Sequence, residues 1–131
     1  MPRRKLLEIG AMIALGVNYA TAYVTAFVWQ TGGPDLIIHI LMMFVVSLLF
    51  GALMVDIQKT VLYTAGSIAI GISIATTVIV APSAMLTQNI ELLSFDIALA
   101  LHFVARLFIV GITFIIIGVI VGCFVGDALS E

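Results

Sequence analysis

The sequence has little charge: only 9% of its 131 residues are Asp, Glu, Lys or Arg, against about 25% in soluble domains. Hydrophobic residues make up 63% of the chain, against roughly 45–50% in soluble domains. A chain of this composition has too few polar side chains to cover a surface exposed to water. The composition therefore excludes a soluble globular domain and predicts a protein embedded in a lipid bilayer.

Residues that carry chemistry are also scarce. The one cysteine, Cys123, cannot form a disulfide within the chain, and its apolar surroundings favour a packed core residue. His39 and His102 lack a tight ligand spacing such as His-x-x-x-His, although with Asp35, Glu91 or Asp96 they leave an outward metal or proton site as an alternative. No basic patch for nucleic acid is present. We expect no enzyme activity, no metal and no cofactor.

Four long apolar runs are present, and each exceeds the ~18 residues that indicate a transmembrane helix. They cover residues 9–29, 36–55, 61–81 and 107–125. The sequence thus predicts an all-α, polytopic membrane protein with one domain over residues 1–131 and four helices in a bundle. A signal peptide is the alternative for the first run, but the run is too long and lacks a clear cleavage site.

Two prolines are expected to mark helix ends. Pro34 follows the turn sequence "TGG" and suits the first turn of helix two. Pro82 is expected to end helix three, because proline has no backbone donor.

The loop cations predict the orientation. Arg3, Arg4 and Lys5 precede helix one, and Lys59 lies between helices two and three. The other two connections carry no Lys or Arg. By the positive-inside rule, both termini of this multi-pass protein are expected in the cytoplasm, with the helices in the cell membrane.

A polar stripe precedes the last apolar run and contains an arginine. It recurs at steps of three and four residues and consists of Thr87, Glu91, Ser94, Ala98, His102 and Arg106. In the favoured interpretation, residues 84–105 form an amphipathic interfacial helix, and Arg106 marks the membrane surface. The span at 107–125 is then about 28 Å long, close to the ~30 Å of the hydrocarbon core.

In the alternative, one continuous helix enters the membrane near Phe95 and carries Arg106 close to the bilayer midplane. Arginine keeps its charge, so it needs a partner or water at that depth. The acidic residues of this chain all fall near the predicted membrane surfaces. In either case Arg106, with His102, is predicted to contact a lipid or another subunit.

Small residues predict close helix packing. Gly118, Gly122 and Gly126 follow one another at four-residue steps, with Gly111 on the same face. Such stripes let helix backbones approach each other in lipid. Packing within the four-helix unit and contact with another subunit are both open, and the four glycines are candidate partner contacts.

Two functions are consistent with this pattern. The first is a non-catalytic membrane subunit that assembles through its helix faces with other membrane subunits or with copies of itself. The second is a small oligomeric channel or transporter, with a path lined by helices one and four. Asn18, Thr21 and Thr25 share a face of helix one and are the candidate path residues, although hydrogen bonds between helices explain them as well.

Overall fold

The structure is a computed structural model that describes residues 2–29 and 34–130, with side chains described over residues 3–25 and 37–130. Four α-helices account for nearly all of this part of the chain. They are α1 (Pro2–Trp29), α2 (Pro34–Met54), α3 (Ile57–Leu86) and α4 (Ile90–Ser130). All four are long and apolar enough to cross a membrane. The predicted all-helical fold with four candidate spans is confirmed.

Successive helices run in opposite directions. At one end of the bundle, residues 4–8 of α1 lie beside the α2–α3 turn, and Gly126 near the end of α4 packs against Ala52 of α2. We call this the terminal end, because α1 begins and α4 finishes there. The opposite end, where α1 finishes and α4 begins, is the hairpin end. The most extensive contacts join helices of the same direction, α2 with α4 and α1 with α3.

Glycines allow α2 and α4 to pack closely. A Cβ atom on Gly118 would lie 2.7 Å from the carbonyl oxygen of Phe44. One on Gly122 would overlap the carbonyl oxygen of Leu48. Contacts this short leave no room for a side chain, so the two backbones touch directly along this seam.

The helix boundaries differ from the prediction at Pro82. The expectation that Pro82 ends helix three was wrong, because α3 continues to Leu86 and is capped by Thr87. The Thr87 N–H donates to the Ser83 carbonyl at 2.9 Å. A proline removes only its own donor, and helices in membranes tolerate this loss through local adjustment. Helix α2 begins at Pro34 as predicted, whereas the turn predicted at residues 31–33 lies outside the described residues.

Helix α4 corrects the prediction of a separate amphipathic helix. Residues 84–86 belong to α3, residues 87–89 connect the helices, and α4 is continuous from Ile90 to Ser130. No proline interrupts these 41 residues. At ~1.5 Å per residue the helix is about 61 Å long, roughly twice the thickness of a hydrocarbon core.

The beginning of α4 extends beyond α2 at the hairpin end. Gly111 packs against Met43, which lies nine residues after the start of α2 at Pro34. Because the two helices are parallel, this contact and the backbone contacts of Gly118 with Phe44 and of Gly122 with Leu48 make Pro34 level with about residues 102–108 of α4. The first 12–18 residues of α4, about 18–27 Å, therefore project past α2 together with the end of α3.

The α2–α3 connection contains the one non-glycine residue with positive φ among the described residues. Val55 has a φ of 59°, and its N–H donates to the Gly51 carbonyl at 3.1 Å. Asp56 then caps α3, with Oδ1 accepting from the N–H groups of Gln58 at 3.0 Å and Lys59 at 3.3 Å. A left-handed residue followed directly by an N-cap makes this turn only two residues long.

Candidate functional site

A polar face of α4 is turned away from the bundle. We call Glu91, Ser94, His102 and Arg106 the α4 polar face, and all four side chains are exposed. At 3.6 residues per turn they point opposite to the buried face of the same helix. That buried face includes Ala100, Val104, Gly111, Ile115 and Gly118. The predicted stripe thus exists on α4, except that Thr87 caps α3 and lies outside it.

Arg106 has no hydrogen bond or ion pair with any described residue. The ion pair found in this part of the chain joins Arg4 Nε and Glu8 Oε1 at 3.5 Å, at the opposite end of the bundle. The contacts of Gly111 with Met43, of Gly118 with Phe44 and of Gly122 with Leu48 place Arg106 close to the level where α2 begins. Its charge therefore faces outward, near the hairpin end of the four-helix region.

The structure places the glycine stripe inside the chain. Gly111, Gly118, Gly122 and Gly126 are all buried, and each lies against α2. The sequence left open whether these glycines pack within the four-helix unit or contact another subunit. In the structure they pack within the unit. Gly51 of α2 completes the seam, because a Cβ there would lie only 3.1 Å from the Cα of Gly122.

The candidate path residues do not line an enclosed channel within the described part of the chain. Thr21 is exposed and donates to the Val17 carbonyl at 2.9 Å, and Thr25 donates to the Thr21 carbonyl at 2.7 Å. Both line a surface groove of about 220 Å³ between α1 and α3. Asn18 is half-buried on the same helix and is not among the residues that line the groove.

Buried hydroxyls form polar contacts that the sequence analysis did not identify. Tyr19 Oη and Ser47 Oγ lie 2.6 Å apart in the core, joining α1 to α2. Ser67 Oγ lies within hydrogen-bond distance of the Tyr63 carbonyl of its own helix and of the Met12 carbonyl, and the Met12 contact joins α3 to α1. The signal available was the spacing of Tyr19 and Tyr23, which puts both phenols on one face of helix one.

A crevice between α1, α2 and α4 near the hairpin end also did not follow from the sequence. Tyr23 and His39 both line it, together with apolar residues of α2 and α4. For the outward metal site considered from the sequence, no three His, Cys, Asp or Glu residues group together among the described residues. Asp35, a candidate in that alternative, lies outside the described side chains.

The loop cations meet at the terminal end. Arg4, Lys5 and Lys59 line one groove, which Glu8 and Asp56 also border. This places the cations of two separate chain segments at the same end of the bundle.

Comparisons with protein-family models, with curated proteins and with solved structures found no match to the chain.

Proposed function

We propose that this chain is a non-catalytic subunit of a membrane complex and that it assembles through the α4 polar face. The observation that carries the proposal is Arg106, exposed on the side of α4 that faces away from the bundle and without an ionic partner among the described residues. Arginine stays charged at any physiological pH, so a lipid-facing Arg106 requires a compensating anion.

The charge pattern favours a different chain as the partner. Two copies of this protein related by a two-fold axis along the helices would bring Arg106 against Arg106 if they met at this face. Like charges placed together in a low-dielectric surrounding repel strongly. A partner helix with a carboxylate at the level of Arg106 provides the opposite charge. We therefore assign this face to another membrane subunit rather than to a second copy.

We further propose that the helices lie in the cell membrane with both termini in the cytoplasm. The support is the position of Arg4, Lys5 and Lys59 around one groove at the terminal end. The positive-inside rule assigns such a cluster to the cytoplasmic side. The α4 polar face then lies toward the outer surface.

The test is co-purification of the protein from its native membranes after gentle detergent extraction. Arg106→Leu should leave membrane insertion intact, because the helix becomes more apolar. Assembly should fall at least tenfold, since removal of one member of a buried charge pair costs about 3–5 kcal/mol. Arg106→Lys should retain part of the assembly, because the charge stays but the planar fork is lost.

The matched control is Thr77→Leu, which makes an equally apolar substitution at an exposed position on α3. It should co-purify with the same partners as the unaltered protein. Unchanged assembly in both Arg106 variants would refute the proposal and leave Arg106 as an interfacial anchor.

A small oligomeric channel or transporter is the second candidate. The observation that favours it is the groove between α1 and α3, which Thr21 and Thr25 line at the bundle surface. Another copy covering this groove would enclose both hydroxyls. Solute flux into vesicles that contain the purified chain alone would support this function over the first.

A further inference from the structure

The groove at the terminal end brings together charged side chains from two separate segments of the chain. Arg4, Lys5 and Glu8 line it from α1, and Asp56 and Lys59 line it from the N-terminus of α3. Both carboxylates are compensated within the protein. Glu8 pairs with Arg4 at 3.5 Å, and Asp56 Oδ1 accepts two backbone N–H groups of α3. The groove therefore contains more positive charge than its own acids neutralise.

Lys5 and Lys59 are the two cations of this groove whose charge is not compensated. Both side chains are exposed, and neither ammonium group makes a hydrogen bond or an ion pair with another described residue. The first turn of α1 contains no acidic residue, so the positive end of that helix dipole adds to the potential near Lys5. A lysine ammonium binds phosphate oxygens as a point charge. The free charge of the groove thus fits a phosphate group.

The rest of the groove wall is largely apolar and reaches the outer surface of the bundle. Met54, Val55, Leu62 and Tyr63 line it, and Leu62 is 71% exposed. Leu62 lies at the start of the third apolar run, where the helix enters the hydrocarbon of the bilayer. The groove has a volume of about 500 Å³, which is within the range of small-molecule sites. Cations beside an exposed apolar edge fit an amphiphile better than a free anion.

We propose that the groove at the terminal end is a binding site for one anionic phospholipid. Lys5 and Lys59 supply the positive charge for its phosphate, and an acyl chain runs along Leu62. Basic pockets between transmembrane helices bind anionic headgroups through this combination of contacts. The site does not depend on the proposed assembly, because Arg106 and the rest of the α4 polar face lie toward the opposite end of the bundle.

Native mass spectrometry of the full chain, released from micelles of a nonionic detergent, tests this site. The probes are dioleoylphosphatidylglycerol, which is anionic, and dioleoylphosphatidylcholine, which has the same acyl chains and no net charge. The unaltered protein should retain one molecule of the anionic lipid at least about tenfold more tightly than the zwitterionic one, since each lysine contributes about fivefold. Equal retention of the two lipids would overturn the proposal.

Two variants and a matched control separate this groove from a general attraction to anionic lipid. Lys5→Gln and Lys59→Gln should each weaken retention of the anionic lipid about fivefold. Both positions are exposed, so neither change disturbs the core. Arg3→Gln removes the same charge from an exposed position of α1 that does not line the groove, and it should leave retention unchanged. The proposal fails if either lysine variant has no larger effect than Arg3→Gln.

A further comparison distinguishes a lipid site from a site for a free anion. Glycerol phosphate in molar excess over the lipid should not displace it, because this molecule has a phosphate but no acyl chain to contact Leu62. Leu62→Gln should weaken retention of the anionic lipid, although both lysines remain. Displacement by glycerol phosphate, or unchanged retention in Leu62→Gln, would assign the groove to a free anion and overturn the lipid site.

Discussion

Val55 has a backbone conformation that valine rarely adopts. A φ of 59° is left-handed, and a β-branched side chain fits that conformation poorly. The position is nevertheless occupied because the Val55 N–H closes the last turn of α2 on the Gly51 carbonyl. The short turn depends on this one residue, since Asp56 already begins the cap of α3.

Replacing Val55 should therefore stabilise the protein. Val55→Asn is expected to raise the free energy of unfolding by about 1 kcal/mol, because asparagine tolerates the left-handed region. The measurement is the thermal unfolding midpoint in a mild detergent. Val55→Ile keeps the branched Cβ and should show no gain. A Val55→Asn protein that unfolds at a lower temperature than the unaltered one would contradict the strain argument.

At the scale of single residues, the sequence indicates which chemical groups are present but not which neighbours each of them contacts. The scarcity of catalytic groups and the exposed charge of Arg106 follow from residue types. The contact of Tyr19 with Ser47 and the position of Tyr23 beside the crevice do not follow from residue types. These contacts join residues on different helices, and an apolar side chain suits lipid and core equally, so apolar patterns do not say which faces meet.

Among the helices, α2 and α4 show how small residues determine packing. Glycines at four-residue steps on α4 meet the backbone of α2 without intervening side chains. The sequence predicted the stripe but left its partner open. Gly51, which completes the seam, is the one glycine of α2, and it forms a single small-xxx-small step with Ser47.

The effect on stability of replacing a glycine of α4 by alanine should depend on the space available for the new methyl group. Gly122→Ala is expected to destabilise the bundle by about 1–3 kcal/mol or more, because the new Cβ meets the rigid carbonyl of Leu48. Gly118→Ala should behave similarly against Phe44. Loss of the folded species on heating in detergent is the readout.

The matched control for these variants is Gly10→Ala in α1. A Cβ at Gly10 has no neighbour within 4 Å, so the only effect is the better helix propensity of alanine, about 0.5–1 kcal/mol in favour of folding. If Gly122→Ala proved as stable as Gly10→Ala, the close approach of α2 and α4 would be wrong.

Helix ends were the least predictable feature at this scale. Hydropathy delimits the apolar stretch, whereas the helix itself continues through polar residues as long as its backbone bonds are made. This explains why α3 passes Pro82 and why α4 begins at Ile90 rather than at residue 107. The polar stripe on α4 is typical of a surface helix when taken in isolation, yet in the structure it is the outward face of a long continuous one.

At the scale of the whole molecule, the two ends of the bundle differ in the positive charge of their connections. Cations gather at the terminal end, and the α3–α4 connection at the hairpin end has none. The number of helices follows from the four apolar runs, but their pairing does not, because helices adjacent in sequence are not those that pack most extensively.

Labelling of single cysteines in intact cells tests the proposed orientation. With Cys123 replaced by alanine, Asn89→Cys should react with an impermeant maleimide from outside, and Gln58→Cys only after the membrane is opened. Both positions are exposed in connections or at a helix start, so access is not limited by packing. The opposite pattern would reverse the orientation, and labelling of both from one side would refute four spans.

The seam between α2 and α4 also has a consequence for biosynthesis. Leu48 and its partner Gly122 are separated by more than seventy residues of chain. At about 5–20 residues per second, the ribosome needs several seconds to reach the partner of α2 after α2 itself is made. During that interval the Gly51 face of α2 lacks the helix against which it packs in the folded protein. We therefore expect a nascent chain stalled before α4 to be more open to pairing with other small-residue helices than the full-length chain.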